Sequence, residues 1–256
     1  MPFTISHIAI VVPFTCRPHK YLSATGLIIG SMVPDFLYFI LLNPYFNGGH
    51  QWWGIFVYDI PLSLLLAFLY HNGVKPALIS QLPAWAGNRI GHFRSFNWDH
   101  YFQRHYLVVI ASVILGVLSH FFLDAFTHGD GYFVGLLPFL QQDVSLFAHP
   151  MKMWYLLQYI SSIAGLLIIL YFFLKIPAKH NSSKSGILRK LGYWLLVAVF
   201  TVIILLFNHQ FHYIKCEGAD YLAVIMGGFF YSYFVVMMSV KKLTSPSTIN
   251  KKSFLQ

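Results

Sequence analysis

The chain has 256 residues, of which 57% are hydrophobic and 18% aromatic, while only 10% are charged. A soluble domain carries about a quarter charged residues, so this composition excludes an ordinary soluble protein and indicates a membrane protein. The formal net charge of +9 is compatible with nucleic-acid binding, but membrane topology explains the placement of the basic residues better.

Six apolar segments are long enough to cross a bilayer, which takes about 20 helical residues each. In chain order they are Ala24–Leu42, Trp52–Tyr70, His105–Thr127, Met153–Leu174, Gly192–Phe207 and Asp220–Val240. The sequence therefore predicts an all-α integral membrane protein with about six transmembrane helices in one bundle. We expect residues 1–242 to form this single domain and the polar residues 243–256 to form a cytoplasmic tail.

The basic residues fall almost entirely on one side of this topology. Fifteen of the 17 Lys and Arg lie in the N-terminal arm, in the loops after the second and fourth spans, and in the tail. Only Lys152 and Lys215 lie on the opposite side. The positive-inside rule then places both termini in the cytoplasm. The basic excess sets orientation and contacts anionic headgroups at the cytoplasmic face, and no nucleic-acid recognition motif is present.

The third predicted span ends in a stretch that contains several polar residues, VLSHFFLDAFTHGD from Val117 to Asp130. His120, Asp124 and His128 recur every four residues, so they share one stripe of a helix over about 12 Å. Neighbouring side chains at this spacing can share one metal ion or one hydrogen bond. The stripe therefore predicts a polar pocket at the outer end of this span.

Two further carboxylates lie inside predicted spans beside proline: Asp35 follows Pro34, and Asp59 precedes Pro61 by two residues. Each proline frees a helix carbonyl, which lipid tolerates only where protein or a water-filled cavity covers it. An ionised aspartate at the centre of a span costs about 2.5–3.5 kcal/mol. We therefore expect both aspartates to face one interior pocket, together with His50 from the short outer loop NGGHQWW.

This set of side chains suits a divalent metal. Histidines with two or three carboxylates are typical of Zn²⁺ sites, or of Mn²⁺ or Fe²⁺ where oxygen ligands dominate. A bound metal lowers the pKa of a coordinated water to near 7, which is hydrolase chemistry. The predicted ligands are His120, Asp124 and His128, completed by Asp35 and His50. Asp59 is predicted to be a general base or to orient a ligand, and the expected substrate is a membrane-associated ester or phosphoester.

Several alternatives remain open at this point. The cluster is also compatible with a hydrogen-bonded polar core in a non-catalytic scaffold, or with the ion path of a small ion-coupled transporter. Asp35 and Asp59 can each cap a broken helix, and His50 can be an ordinary loop histidine. No GxSxG, Walker loop, GxGxxG or HExxH pattern is present, so serine hydrolase, nucleotide and metzincin chemistry have no support.

Five motifs carry a resemblance to a known family: MPFTISH, GSMVPDFLYF, FVYDIPLSLLL, LSHFFLDAFTH and LQYISSIAG. Over about residues 1–240 the chain resembles the bacterial membrane family called domain of unknown function 4184. The resemblance implies a protein of the bacterial cytoplasmic membrane and brings no assigned activity.

The chain is more loosely similar to the inner-membrane metal-dependent hydrolases. The shared elements fall on His7, on Gly30 with Pro34 and Asp35, and on Ser119, His120 and Asp124. This likeness implies that His7 joins the metal ligands. The apolar segment Ile5–Val12 is too short to span and begins on the cytoplasmic side of the predicted topology. His7 reaches the pocket only if this short helix re-enters the membrane or if the predicted orientation is wrong.

Overall fold

The structure is a computed structural model that describes residues 3–16, 19–46, 48–146, 149–179, 186–212, 216 and 220–244, the last four of these by their backbone alone. Lys215 and the predicted tail from residue 245 onward lie outside the described residues.

The first part of the chain consists of short helices separated by breaks. A 3-10 turn (Thr4–His7) leads into α1 (Ile8–Thr15), and α2 (Ala24–Gly30) and α3 (Val33–Leu41) follow. A second 3-10 turn, Gly48–His50, precedes a continuous helical run. That run comprises a π-helical turn (Ile55–Asp59), α4 (Ile60–Leu69), another π-helical turn (Tyr70–Val74) and α5 (Lys75–Gln81).

Four long helices dominate the rest of the described chain, with shorter elements between them. In chain order the elements are α6 (Ala84–Ile90), a 3-10 turn (Gly91–Ser95), α7 (Trp98–Thr127), α8 (Tyr132–Leu136), a 3-10 turn (Pro138–Gln141), β1 (Asp143–Leu146), β2 (His149–Lys152), α9 (Met153–Lys175), α10 (Ile187–Phe211) and α11 (Asp220–Thr244). The long helices are α7, α9, α10 and α11. The two strands form one antiparallel hairpin in which Asp143 lies opposite Lys152.

Among the described residues, five helical segments are long and apolar enough to cross a membrane. They are Ile55–Gln81, Trp98–Leu136, Met153–Lys175, Ile187–Phe211 and Asp220–Val240. The pair α2 and α3 is bent by 56° at its break and makes a sixth span if it is counted as one. The prediction of an all-α membrane protein with about six transmembrane helices is confirmed.

Several spans extend beyond their predicted bounds, among them the fifth, which was predicted as Gly192–Phe207 and runs from Ile187 to Phe211. The second continues past Tyr70 to Gln81, because a π-helical turn keeps its polar residues within the helix. The third begins at Trp98, where the side chain of Asn97 caps the helix, and it is kinked at His105 (φ −132°, ψ 26°). Hydropathy predicts that the span starts at this kink, because it reports where the apolar stretch begins and not where the helix begins.

Helices α2 and α7 pack with their backbones in close contact. A Cβ on Gly26 would lie 2.8 Å from the carbonyl oxygen of Val109, and one on Gly116 would lie 2.6 Å from that of Leu27. A Cβ on Gly30 would also clash with the backbone of Val113. Small residues at four-residue spacing allow membrane helices to approach in this way. The contact brings the end of α2 against the second half of α7, where the buried polar residues lie.

Candidate metal centre

The break between α2 and α3 leaves a backbone carbonyl for a side chain to use. Helix α3 begins with Pro34 and Asp35 in its first turn, and the bend before it turns the carbonyl of Ser31 toward α7. This carbonyl lies 2.9 Å from Nδ1 of His120, a fully buried residue. A carbonyl can only accept a hydrogen bond, so Nδ1 of His120 donates to it, and in the neutral imidazole Nε2 then carries the lone pair. An outer partner of this kind fixes the orientation of a metal-binding histidine.

The loop before the second span delivers His50 to the same place. A Cβ on Gly49 would lie 2.6 Å from the carbonyl oxygen of Pro34, so the loop rests on the first turn of α3 at a position that only glycine allows. The hydroxyl of Tyr38, one turn along α3 from Asp35, lies 3.2 Å from Nδ1 of His50. These contacts point Nε2 of His50 toward Asp35, whose Oδ1 lies 3.2 Å away.

Four side-chain atoms converge here: Nε2 of His50, Nε2 of His120, Oδ1 of Asp35 and Oδ2 of Asp124. We call these four residues the His120 cluster. Nε2 of His50 lies 3.2 Å from Nε2 of His120 and 3.6 Å from Oδ2 of Asp124. Nε2 of His120 lies 3.6 Å from Oδ1 of Asp35 and 3.1 Å from Oδ2 of Asp124. With the contact between His50 and Asp35, five of the six distances among these four atoms therefore measure 3.1–3.6 Å.

Those distances are close to the ligand separations of a tetrahedral metal site, and the metal-sized groups place His120 with His50 and Asp124 and, separately, with His7 and Asp35. A zinc ion with four bonds of about 2.05 Å holds its ligand atoms about 3.3 Å apart. Hydrogen bonds alone explain the cluster less well, because the two carboxylate oxygens and the lone pair of His120 are all acceptors. With both carboxyls ionised, only Nε2 of His50 is left to donate, unless both histidines are protonated, which would place two like charges 3.2 Å apart. The arrangement could hold a cation.

The carboxylates around His50 also favour a positive charge at this end of the bundle. Burial disfavours a charged His50, but its hydrogen bonds to Asp124 and Asp35 outweigh this and raise the pKa of the imidazole to about 9. The two carboxylates thus attract positive charge into an otherwise apolar region.

His7 lies on the other side of Asp124. Its ring stacks on that of His120, with centroids 3.8 Å apart and planes inclined by 12°, and its Nε2 lies 3.6 Å from Oδ1 of Asp124. The side chain is fully buried, and neither ring nitrogen has a hydrogen-bond partner among the described residues. The N-terminal turn begins beside the cluster, where the hydroxyl of Thr4 donates to Oδ2 of Asp35 at 2.5 Å. The structure thus brings together His7 and the cluster, as the looser family likeness implied.

His128 lies at the exposed edge of the site. Helix α7 ends at Thr127, and the extended backbone of His128 (φ −117°, ψ 145°) takes it out of the helical stripe that the sequence predicted. Its Nδ1 nevertheless lies 3.5 Å from Oδ1 of Asp124, and 42% of its side chain is exposed. The side chain of Gln158 donates to the carbonyl of Thr127 at 2.5 Å and holds this end of the helix in place.

Asp59 lies beside the site but outside the metal-sized donor groups. Among the described residues those groups are His7, Asp35 and His120, and His50, His120 and Asp124, each with its donor atoms within 4.8 Å of one another. Asp59 is fully buried, and neither carboxylate oxygen has a hydrogen-bond partner in the described part of the chain. It is close enough to His50 and His120 to interact electrostatically with both. This position fits an auxiliary residue better than a ligand.

Three contributors to the site were not anticipated from the sequence. Thr4 and Tyr38 supply hydroxyls, and Ser31 supplies a carbonyl. Thr4 precedes His7 by three residues and Tyr38 follows Asp35 by three, so each lies about one helical turn from a candidate ligand. That spacing is the only signal for them, because neither residue type is unusual in a membrane helix.

Comparison with known proteins yields a family and no characterised relative. No curated protein and no solved structure matches the chain. A family model described as a domain of unknown function, DUF4184, matches residues 1–242, a range that includes all the residues of the site. The chain therefore belongs to the DUF4184 family.

Proposed function

We propose that this protein is a metal-dependent membrane hydrolase that acts on a membrane-associated ester or phosphoester. The observation that carries the proposal is the convergence of two imidazole nitrogens and two carboxylate oxygens, five of whose six separations are 3.1–3.6 Å, inside an apolar bundle. Zn²⁺ suits these ligands and this geometry best, with Mn²⁺ or Fe²⁺ as alternatives. When bound, such an ion acts as a Lewis acid and makes a coordinated water a nucleophile near neutral pH.

The residues of the chain would divide the work as follows. His50, His120, Asp35 and Asp124 hold the ion, and Ser31 and Tyr38 orient the two imidazoles from behind. Asp59 is our candidate for a general base, because a buried carboxylate next to the site can hold a proton that leaves the nucleophile. His128, the most exposed member of the group, marks the side from which a substrate enters.

The surroundings of the site favour a substrate that lies in the membrane. Trp52 and Trp53, directly after His50, expose 71% and 55% of their surface, and Trp52 packs on Phe121 next to His120. Aromatic side chains of this kind occupy the membrane interface. With the loops after α5 and α9 in the cytoplasm, the site would face the outer leaflet of the bacterial cytoplasmic membrane. A lipid or lipid-linked ester would then reach it without leaving the bilayer.

The test uses the full chain purified in detergent and loaded with Zn²⁺. We expect bound zinc by elemental analysis, and hydrolysis of p-nitrophenyl phosphate, bis(p-nitrophenyl) phosphate or p-nitrophenyl acetate. Both should be lost in His120→Ala and kept in His71→Ala, a matched control that removes a histidine from another part of the bundle. Equal metal content in the wild type and in a His120→Ala/Asp124→Ala double variant would refute the proposal. A metal-free wild type that only loses stability in these variants would make the cluster a structural polar core.

A further inference from the structure

A cavity of about 710 Å³ lies along the second span and shares no lining residue with the metal centre. One of its walls is a stripe of that span in which lining residues recur every three or four positions from Leu65 to Ser80. The opposite wall comes from α10 and α11, through Tyr193 and Phe234. Ligand sites have volumes of about 300–1,000 Å³, whereas a packed interior keeps few voids larger than a water molecule. The cavity is therefore large enough to hold a second molecule.

The end of the cavity nearer the middle of the spans is apolar. It is lined by Leu65, Leu69 and Phe234, whose side chains are all exposed, so this end opens sideways toward the lipid. The stripe from Leu65 to Ser80 is about 22 Å long, at about 1.5 Å per residue. One leaflet of a bilayer, with its headgroups, is about 20 Å thick. The cavity therefore has the length and the lining that suit the acyl chain of a lipid.

The other end of the cavity is cationic. Arg94, in the 3-10 turn after α6, and Arg189, in the first turn of α10, both line it and are both exposed. In the described part of the chain, Lys152 is the one Lys or Arg that pairs with a carboxylate, so neither arginine has an acidic partner there. Even with the carboxylate of Asp99, which accepts a hydrogen bond from Asn72 of the lining, this end keeps an excess of positive charge.

We propose that this cavity binds an anionic phospholipid, with one acyl chain in the apolar end and the phosphate between Arg94 and Arg189. Arginine suits a phosphate because its planar guanidinium donates two parallel hydrogen bonds. Both arginines lie on the side that the positive-inside rule places in the cytoplasm, where the membrane surface carries anionic headgroups. The site does not depend on the metal centre, so it is a binding function separate from the proposed hydrolysis.

The test measures lipid binding to the full chain, delipidated and held in detergent, by native mass spectrometry. Dioleoyl phosphatidylglycerol and dioleoyl phosphatidylcholine carry the same chains and differ in net charge. We expect the wild type to bind the anionic lipid about tenfold more tightly, because two arginines contribute to the attraction. Arg94→Gln/Arg189→Gln should abolish this preference. Arg104→Gln, at an exposed arginine outside the cavity, is the matched control and should keep it.

A second pair of variants tests the cavity without changing any charge. Gly73 lines the cavity, and a Cβ placed on it has nothing within 4 Å. Gly73→Leu should therefore fill part of the space and weaken the binding of both lipids. Gly192→Leu, at a glycine with equally open surroundings outside the cavity, should bind both lipids as the wild type does. Glycerol 3-phosphate, which has a phosphate and no acyl chain, should not displace the bound lipid.

The wild type alone can overturn this proposal, so it does not depend on the folding of any variant. Equal affinity for the two lipids would show that the cavity does not select a negative charge. A preference that is kept in Arg94→Gln/Arg189→Gln, or lost to the same extent in Arg104→Gln, would assign the attraction to the whole basic surface. Displacement by glycerol 3-phosphate would make a soluble phosphate ester the ligand. Zinc binding should be unchanged in all these variants, so these results are independent of the proposed function.

Discussion

The His120 cluster has a counterpart elsewhere in the bundle, and the two are built on different rules. The second group, which we call the His71 group, also buries polar side chains between apolar helices. There, Nε2 of His71 lies 3.0 Å from the hydroxyl of Thr25, and its ring stacks on Trp98 at 4.7 Å. Nζ of Lys75 donates to the carbonyl of Phe96 at 2.9 Å. These contacts pair a donor with an acceptor.

On our proposal, the difference separates a polar group that stabilises the fold from one that holds a metal ion. Donor–acceptor pairs satisfy the buried atoms that they join, although Nδ1 of His71 has no hydrogen-bond partner among the described residues. In the His120 cluster two carboxylate oxygens and a lone pair of His120 meet at 3.1–3.6 Å, so acceptors face acceptors. Such an arrangement favours a positive charge at its centre, which a proton or a metal ion can supply. Both groups contain buried polar side chains, but only the His120 cluster brings two carboxylates to its histidines.

The largest expected effect comes from neutralising a carboxylate in the His120 cluster. The comparison is the same change at Asp99, which is close enough to His71 to interact with it electrostatically. Asp35→Asn replaces an anionic ligand with a neutral amide, and we expect the zinc affinity to fall by more than about 100-fold, beyond the effect of changing an outer partner. Asp99→Asn changes the carboxylate that accepts a hydrogen bond from Asn72 and should leave zinc binding unchanged. Competition with a zinc-sensitive chelator measures both. Equal affinities would show that Asp35 does not bind the metal.

A second contrast compares a glycine next to each group. Gly30 precedes Ser31, whose carbonyl contacts His120, and Gly73 follows His71 by two residues. A Cβ on Gly30 would clash with the backbone of Val113, which no rotamer change can relieve, whereas a Cβ on Gly73 has nothing within 4 Å. We expect Gly30→Ala to destabilise the protein by about 1–3 kcal/mol and to weaken zinc binding, because it moves the adjacent carbonyl of Ser31 away from His120. Gly73→Ala should be neutral or stabilise by up to about 1 kcal/mol.

Thermal unfolding in detergent, followed by tryptophan fluorescence, measures both glycine variants. An unchanged melting temperature for Gly30→Ala would mean that α2 and α7 can separate without cost. The position of the Ser31 carbonyl would then have to depend on something other than this close packing.

A smaller effect is expected from the partner of His50. Tyr38→Phe removes the hydroxyl that lies 3.2 Å from Nδ1 of His50 while keeping the ring that stacks beside it. Outer partners of metal ligands are worth about 10–100-fold in affinity, and we expect the lower end because the distance is long. Tyr231→Phe, which removes a hydroxyl bonded to the carbonyl of Ile40, is the control and should bind zinc normally. A normal affinity in Tyr38→Phe would mean that the loop alone orients His50.

The sequence predicted much of the fold because hydropathy reports directly on the cost of placing a segment in lipid. The same cost singled out Asp35 and Asp124, since charge inside a span demands an explanation. It did not single out Tyr38 or Thr4, whose hydroxyls are unremarkable in membrane helices. His7 was implicated by family likeness alone, because helical periodicity cannot relate two segments that are more than 100 residues apart in the chain.

The geometry of the His120 cluster was beyond prediction for a related reason. It depends on the 56° bend between α2 and α3 and on the loop that packs Gly49 against Pro34. Proline and glycine in the sequence indicate that the backbone departs from a regular helix, but they do not specify in which direction. The extended backbone of His128 illustrates the limit, since four-residue spacing placed it on a helix that ends one residue earlier.

The smallest expected effect is also the one that tests the contrast itself. His71→Phe keeps an aromatic ring to stack on Trp98 but removes the hydrogen bond with Thr25, so it should cost about 1 kcal/mol of stability. If the two groups are independent, its zinc content should equal that of the wild type, while His120→Phe should bind no zinc at the His120 cluster. Elemental analysis and melting temperature, measured on the same samples, separate the two effects. Loss of zinc in His71→Phe at an unchanged melting temperature would show that the groups are coupled, because a merely structural histidine has no route to the metal except through the stability of the bundle.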